Sequence, residues 1–309
     1  MSEVEDFVAT ACTTDLYELG ECCRWDDVQG ELNWVDVLSG RFFRARADGE
    51  RIDIVRSYEV GGTLSSFAPL ENRSDGWIVA VNQSILLLTE SGDLRELAQP
   101  EARKATEVRM NDGVADPWGR FWVGSMAFDS SEGRGSLFRF QESTGTDTIL
   151  ENVTVSNGLG WSPDRRTMYY VDSGPGILYS FDVDERGEIS HQRPFLQFDV
   201  ATEGTPDGLY VDGEGAIWVA MWGGYEVRRY SPDAVQLARV SVSTAQPSCC
   251  TIGGVSGTTL YVTTAREDMA QHILDREPDA GRLFSVDVHV MARPIDPYRS
   301  TFRQSDFIT

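Results

Sequence analysis

NDGVADPWGRFWV, residues 111–123, runs from an amide and an acid through a short strand and a turn containing Asp, Pro and Gly to an aromatic-valine pair. The same order recurs in NGLGWSPDRRTMYYV (157–171), DGLYVDGEGAIWV (207–219) and ECCRWDDVQGELNWV (21–35). The leading aromatics Trp34, Trp77, Trp122, Tyr170, Trp218 and Tyr261 follow one another at about 43 to 48 residues, the period of a four-stranded propeller blade. Alternation in WVDV, LYSFDV and LFSVDV has the period of a strand. The Gly-Asp pairs Asp48-Gly49, Asp75-Gly76, Gly92-Asp93 and Asp212-Gly213 sit where hairpins need turns. These signals predict an all-β fold, a six-bladed β-propeller with four-stranded antiparallel blades around a central axis. The apolar opening at Phe7, Val8 and Ala9 would supply an outer strand to the last blade. The most helix-like stretch, 266–276, reads as an excursion between strands.

Equivalent positions in a closed ring converge in space. Glu21, the Asn111-Asp112 pair, Asn157 and Asp207 each precede an aromatic-valine strand by about ten to thirteen residues, so their oxygens are expected around one axis at one end. Any single Asn-Gly or Asp-Gly reads as a turn residue chosen for positive φ, and only the shared register argues otherwise. Two carboxylates with one or two amides are hard donors suited to Ca²⁺ first, then Mg²⁺ or Mn²⁺, with Zn²⁺ possible on oxygen ligands alone.

Composition narrows the functions. A chain of 309 residues buries about three quarters of its unfolded surface. Without a Pro/Ser-rich linker, residues 1–309 are expected to form one domain. The net charge of -22, from 27 basic and 49 acidic residues, disfavours nucleic acid and anionic membranes as partners. The start MSEVEDFVAT lacks the pattern of a signal peptide, and no run approaches about 18 uninterrupted apolar residues. Five cysteines, Cys12, Cys22, Cys23, Cys249 and Cys250, make a poor disulfide framework, which fits a reducing cytoplasm. The three histidines, His191, His272 and His289, stand away from the register positions, leaving little material for a histidine triad. No serine occupies a Gly-x-Ser-x-Gly elbow.

Over nearly its whole length the chain resembles the regucalcin, gluconolactonase and luciferin-regenerating family. The resemblance is carried by Leu19-Gly20-Glu21, RMNDGVADPWGRFWVGSM, VSNGLGWSPDRRTMYYVDS, GTPDGLYVDGEGAIWVAMWGG and the run Pro247 to Cys250. It implies a six-bladed propeller with one divalent cation on its axis and hydrolysis of sugar-type or related small lactones. Carried across by motif, Glu21, Asn157 and Asp207 would hold the metal, and Arg109 and Asn111 would hold the substrate. Two departures stand out. Glu21 is followed by Cys22-Cys23 where the family has Gly-Pro, and Phe128-Asp129 follows GSMA where some members carry two acids. Asp129 keeps the acidic type and is expected at the substrate, whereas the apolar Phe128 points to a less hydroxylated ligand than gluconolactone. In the mechanism so implied, the cation polarises the lactone carbonyl, and Asp207 or a hydroxide held by the metal activates water. Two other functions fit the same ring: a phosphotriesterase-like hydrolase on a calcium propeller, and a non-catalytic calcium- or ligand-binding propeller.

Overall fold

The computed structural model describes residues 4–48, 51–104 and 106–302. The expected Asp48-Gly49 turn therefore falls partly outside the described residues. Six antiparallel sheets follow one another along the chain. The first comprises Gly20–Asp26, Glu31–Asp36, Arg41–Ala47 and Ile52–Glu59. The third begins with Val108–Ala115, the fourth with Ser156–Trp161, the fifth with Thr205–Val211 and the sixth with Pro247–Gly253. The first strands of successive sheets touch in cyclic order, with the sixth against the first, so each sheet is a blade and its first strand lies innermost. The fold is the expected six-bladed β-propeller.

Apolar side chains pack between blades. Cys23, Leu32, Trp34, Cys249 and Tyr261 join blades 6 and 1, and Trp122, Trp161, Met168 and Tyr170 join blades 3 and 4. The six leading aromatics all lie on second strands and are no more than 1% exposed, so they fill the layers that hold neighbouring blades together.

Turn aspartates tie the repeat to these aromatics. Asp212 Oδ1 accepts the N–H groups of Glu214 and Ala216 at 2.9 and 3.0 Å. Its Oδ2 accepts Trp218 Nε1 and Arg229 Nε, both at 2.9 Å. Asp116 does the same with Trp118, Arg120 and Trp122. Removing one partner of such a buried ion pair strands the other. Asp212→Ala is therefore expected to cost roughly 3–5 kcal/mol in denaturant unfolding.

Ring closure differs in detail from the expectation. Phe7 and Val8 belong to Glu5–Val8, which pairs parallel with Gln236–Ser241 as a fifth strand on blade 5. The outer strand of blade 6 is Thr10–Ala11, antiparallel to Phe284–Asp287. The N-terminal segment thus covers two edges, because two residues are enough to complete blade 6 and the preceding four reach its neighbour. The expected excursion contains a single helical turn, Gln271–Leu274. Among the described residues no helix is long and apolar enough to cross a membrane.

After the last strand the chain runs beneath the ring. Arg293 hydrogen-bonds to the Trp161 carbonyl, and its backbone N–H donates to Tyr210 Oη. The fully buried Tyr298 bridges to Leu70, and Arg299 N–H donates to the Gly119 carbonyl. Arg293 and Asp296 border a cavity of about 50 Å³ at this end of the axis.

Candidate active site

Each inner strand carries a β-bulge near its start. In blades 3, 4 and 5 the two residues opposite one are Asn111-Asp112, Asn157-Gly158 and Asp207-Gly208. A bulge re-aims side chains, and here it turns Asn111, Asn157 and Asp207 towards the axis. The glycines are not turn residues, because none of Gly113, Gly158 or Gly208 has positive φ. They are needed for close approach. A Cβ on Gly158 would lie 2.4 Å from Leu209 N, and one on Gly208 would lie 2.8 Å from Cys249 Sγ.

Blade 1 solves the same problem differently. Glu21 pairs regularly with Val35, and the bulge falls one residue later on Cys22-Cys23. Cys22 adopts φ 50°, a left-handed conformation that costs a non-glycine residue about 1–2 kcal/mol. Its N–H donates to Glu21 Oε2 at 2.9 Å. The strain at Cys22 therefore accompanies a contact that orients the carboxylate.

These residues line one cavity of about 460 Å³ at the end where the inner strands begin. Glu21, Arg109, Asn111, Asn157 and Asp207 all face it. Asp129 does not. It lies on the outer rim, where its Oδ1 accepts the N–H and hydroxyl of Ser131 at 3.0 and 2.6 Å. Those bonds hold its carboxyl below the usual range, and its neighbours Phe128 and Ser130 face the cavity instead.

A hydrogen-bond chain fixes the polar wall. Arg109 Nη1 donates to the Met110 carbonyl at 3.1 Å and to Asn111 Oδ1 at 2.6 Å. Asn111 Nδ2 donates to the Ser156 carbonyl at 2.9 Å and to Asn157 Oδ1 at 3.3 Å. Asn157 Nδ2 donates to Ser173 Oγ, which donates to the Pro206 carbonyl at 2.6 Å. Side chains from blades 3 and 4 are thereby locked to the strand that carries Asp207. Ser173 was not legible as a site residue, since it lies beyond the second strand of its blade rather than at the register position.

Asp112 faces the channel below rather than the cavity. Its Oδ1 meets Arg24 Nη2 at 3.4 Å and accepts Gly113 N–H at 2.8 Å. Arg24 also contacts Cys249 Sγ at 3.2 Å, so one buried guanidinium from blade 1 links blades 3 and 6 under the site. The alternation of strand 20–26 places Arg24 on the axis only once the bulge at Cys22-Cys23 is known, which is why the sequence did not mark it.

Burial sets the electrostatics. It pushes Asp207 well above the usual carboxylate range, with repulsion from Glu21 and Asp112 adding to the rise and Arg109 and Asn157 opposing it. Burial likewise raises Glu21, followed by Cys249 and Asp112, against the N–H of Cys22 and the charge of Arg109. Glu267, also on the cavity wall, is raised by burial and held down by Arg109.

Asp207 Oδ1 is buried without a hydrogen-bond partner among the described residues. An acceptor left in that state is costly, and a cation relieves it. Two repelling carboxylates and the Asn157 amide oxygen form a hard donor set that fits such an ion. No group of three or more His, Cys, Asp or Glu side chains arranged for a metal occurs among the described residues, so an ion here would rely on amide oxygen and on solvent or substrate. All five cysteines are buried and unpaired by disulfides. His191 and His289 are exposed, and no histidine lines the cavity.

Comparison with known proteins gives one consistent result. The family model described as SMP-30/Gluconolactonase/LRE-like region matches residues 19–266. The 6-deoxy-6-sulfogluconolactonase of Pseudomonas putida is 34% identical over 272 residues, covering 88% of this chain and 92% of that protein. The L-arabinolactonase of Azospirillum brasilense is 33% identical over 270 residues, covering 86% and 87%. The crystal structure of the calcium-binding protein regucalcin from Agrobacterium tumefaciens superposes with a TM-score of 0.88 at 25% identity, over 97% of this chain and 100% of that one.

Proposed function

Because the chain belongs to the SMP-30/gluconolactonase/LRE-like family, we propose that it hydrolyses a small lactone with the help of a divalent cation, calcium by preference, held by Glu21, Asn157 and Asp207. The observation that carries this reading is the buried, unpartnered Oδ1 of Asp207 in a cavity shared with Glu21. Lactonase relatives supply the reaction class. A cation in that place would supply Lewis acidity to the lactone carbonyl.

The chain's own residues supply the remaining chemistry. Asp207, on the wall of the cavity, takes a proton from the attacking water. As the acyl C–O bond of the ring breaks, the same proton passes to the departing ring oxygen, leaving a hydroxy acid. Glu21 accepts the Cys22 N–H and so presents its carboxylate in one orientation. Arg109 has one nitrogen committed to Met110 and Asn111, which leaves its other N–H groups to orient the substrate's oxygens.

Arg109→Met is expected to remove a charged hydrogen bond worth about 1.5–3 kcal/mol, lowering kcat/KM roughly ten- to a hundredfold. Steady-state hydrolysis kinetics check it, with calorimetry expected to find calcium affinity largely retained. The function is tested by a pH-indicator screen of aldonolactones and alkyl lactones, using chelator-stripped protein to which Ca²⁺, Mg²⁺, Mn²⁺ or Zn²⁺ is returned. Calcium binding with no hydrolysis of any lactone would make this a binding protein instead.

A further inference from the structure

We propose that the lactone taken by this site carries an uncharged, apolar substituent, and that Leu38, Phe128 and Val200 receive it. The inference rests on the lactonase reading and specifies its substrate class.

Leu38 follows the second strand of blade 1, Phe128 follows the second strand of blade 3, and Val200 lies in the connection between blades 4 and 5. They are 42%, 54% and 43% exposed, and all three border the same cavity. Phe128 is the one phenylalanine among the exposed large hydrophobics of the described residues. Its backbone N–H donates to the Glu107 carbonyl at 3.1 Å, so the loop bearing the ring is tied to the strand that follows Glu107. Trp222, half-buried at the end of strand Ile217–Trp222, lines the cavity too. The apolar surface therefore spans three sides of the mouth.

Part of the polar wall is already committed. Asn111 and Ser173 are bound into the chain that runs from Arg109 to Pro206. Asp129, the acid nearest Phe128, is turned onto Ser131 outside the cavity. A polyhydroxylated chain lying against Leu38, Phe128 and Val200 would leave its hydroxyls unpaired once water is excluded, whereas an alkyl chain loses nothing there. Charge selects further. Arg109 is the single basic side chain on the wall, against Glu21, Asp207, Glu267 and Asp268, so an anionic tail is disfavoured even with a divalent ion in place.

The test measures kcat/KM of the calcium-loaded full chain for glucono-δ-lactone and for δ-lactones bearing alkyl tails of increasing length. Alkyl lactones are expected to lead by about tenfold or more, with roughly three- to fourfold gained for each of the first few methylenes, the value of one buried methylene. Phe128→Glu is expected to shift the ratio of alkyl to aldonolactone kcat/KM by about tenfold towards the sugar, and Val200→Asp to act in the same direction from another blade. Both side chains are exposed, and a melting curve confirms that each variant is folded. A wild-type preference for gluconolactone, or a ratio that neither variant moves, overturns this inference and leaves the lactonase reading intact. Failure to hydrolyse any lactone while calcium binding is seen by calorimetry overturns both.

Discussion

Asp207→Asn should lower lactone kcat/KM by about a thousandfold while leaving the fold intact. The substitution keeps the shape of the side chain but removes the proposed proton acceptor and one of the two carboxylates proposed to hold the ion, contributions of several kcal/mol at about 1.4 kcal/mol per factor of ten. It should not destabilise the protein. The Asp207 charge is buried, repelled by Glu21 and Asp112, and carries an oxygen without a donor, so a neutral amide relieves a cost. The cation-free variant is expected to melt at or above the temperature of the cation-free wild type, with calcium affinity severely reduced. A stabilising change that abolishes activity marks a functional residue rather than a packing one. Equal loss of stability and activity would place Asp207 among the structural residues.

The second large effect concerns the ion. Stripping divalent cations should abolish hydrolysis, and returning calcium should restore it. The melting temperature should rise as well, because an ion that binds only the folded state stabilises it by about 2.7 kcal/mol at a hundred times its Kd, or roughly 3–8 °C for a chain of this size. The size of the rise depends on pH. Glu21 and Asp207 bind protons more tightly folded than unfolded, so the stability of the cation-free protein falls as pH rises through their folded pKa values. In the proposed site, calcium would replace those protons. Its stabilising effect is therefore expected to be largest above the raised values and to shrink on acidification, as differential scanning calorimetry across pH would record.

What the sequence disclosed and what it withheld follow from the range of the forces involved. The blade period was visible because each second strand needs a large aromatic between layers, a requirement that recurs in all six repeats, and because turns such as those at Asp116 and Asp212 use an aspartate that binds local N–H groups. That Glu21, Asn157 and Asp207 would face one cavity was visible for the same reason, since a polar oxygen at the start of an inner strand has no packing purpose. The role of Gly158 and Gly208 was not. The shared register of the Asn-Gly and Asp-Gly pairs argued against hairpin turns, but only the assembled ring places a neighbouring strand 2.4 Å from where the Gly158 Cβ would stand. Asp129 illustrates the opposite limit. Its residue type suited a sugar, but the local geometry of Ser131 captured the carboxylate, and no pattern in the chain announces which of two adjacent side chains will face inward. Arg24, Ser173 and Glu267 depend on contacts among residues far apart in sequence. The strap of residues 293–299 has neither strand nor helix periodicity to betray it.

Crystals grown with manganese, whose anomalous signal marks the ion, test the central claim most directly. The account predicts one strong peak on the axis at the cavity floor, within about 2.0–2.6 Å of carboxylate oxygens of Glu21 and Asp207 and of Asn157 Oδ1. It also predicts that the peak vanishes in Asp207→Asn crystals. A peak bound elsewhere, or none in crystals of protein that hydrolyses lactones at full rate, would contradict it.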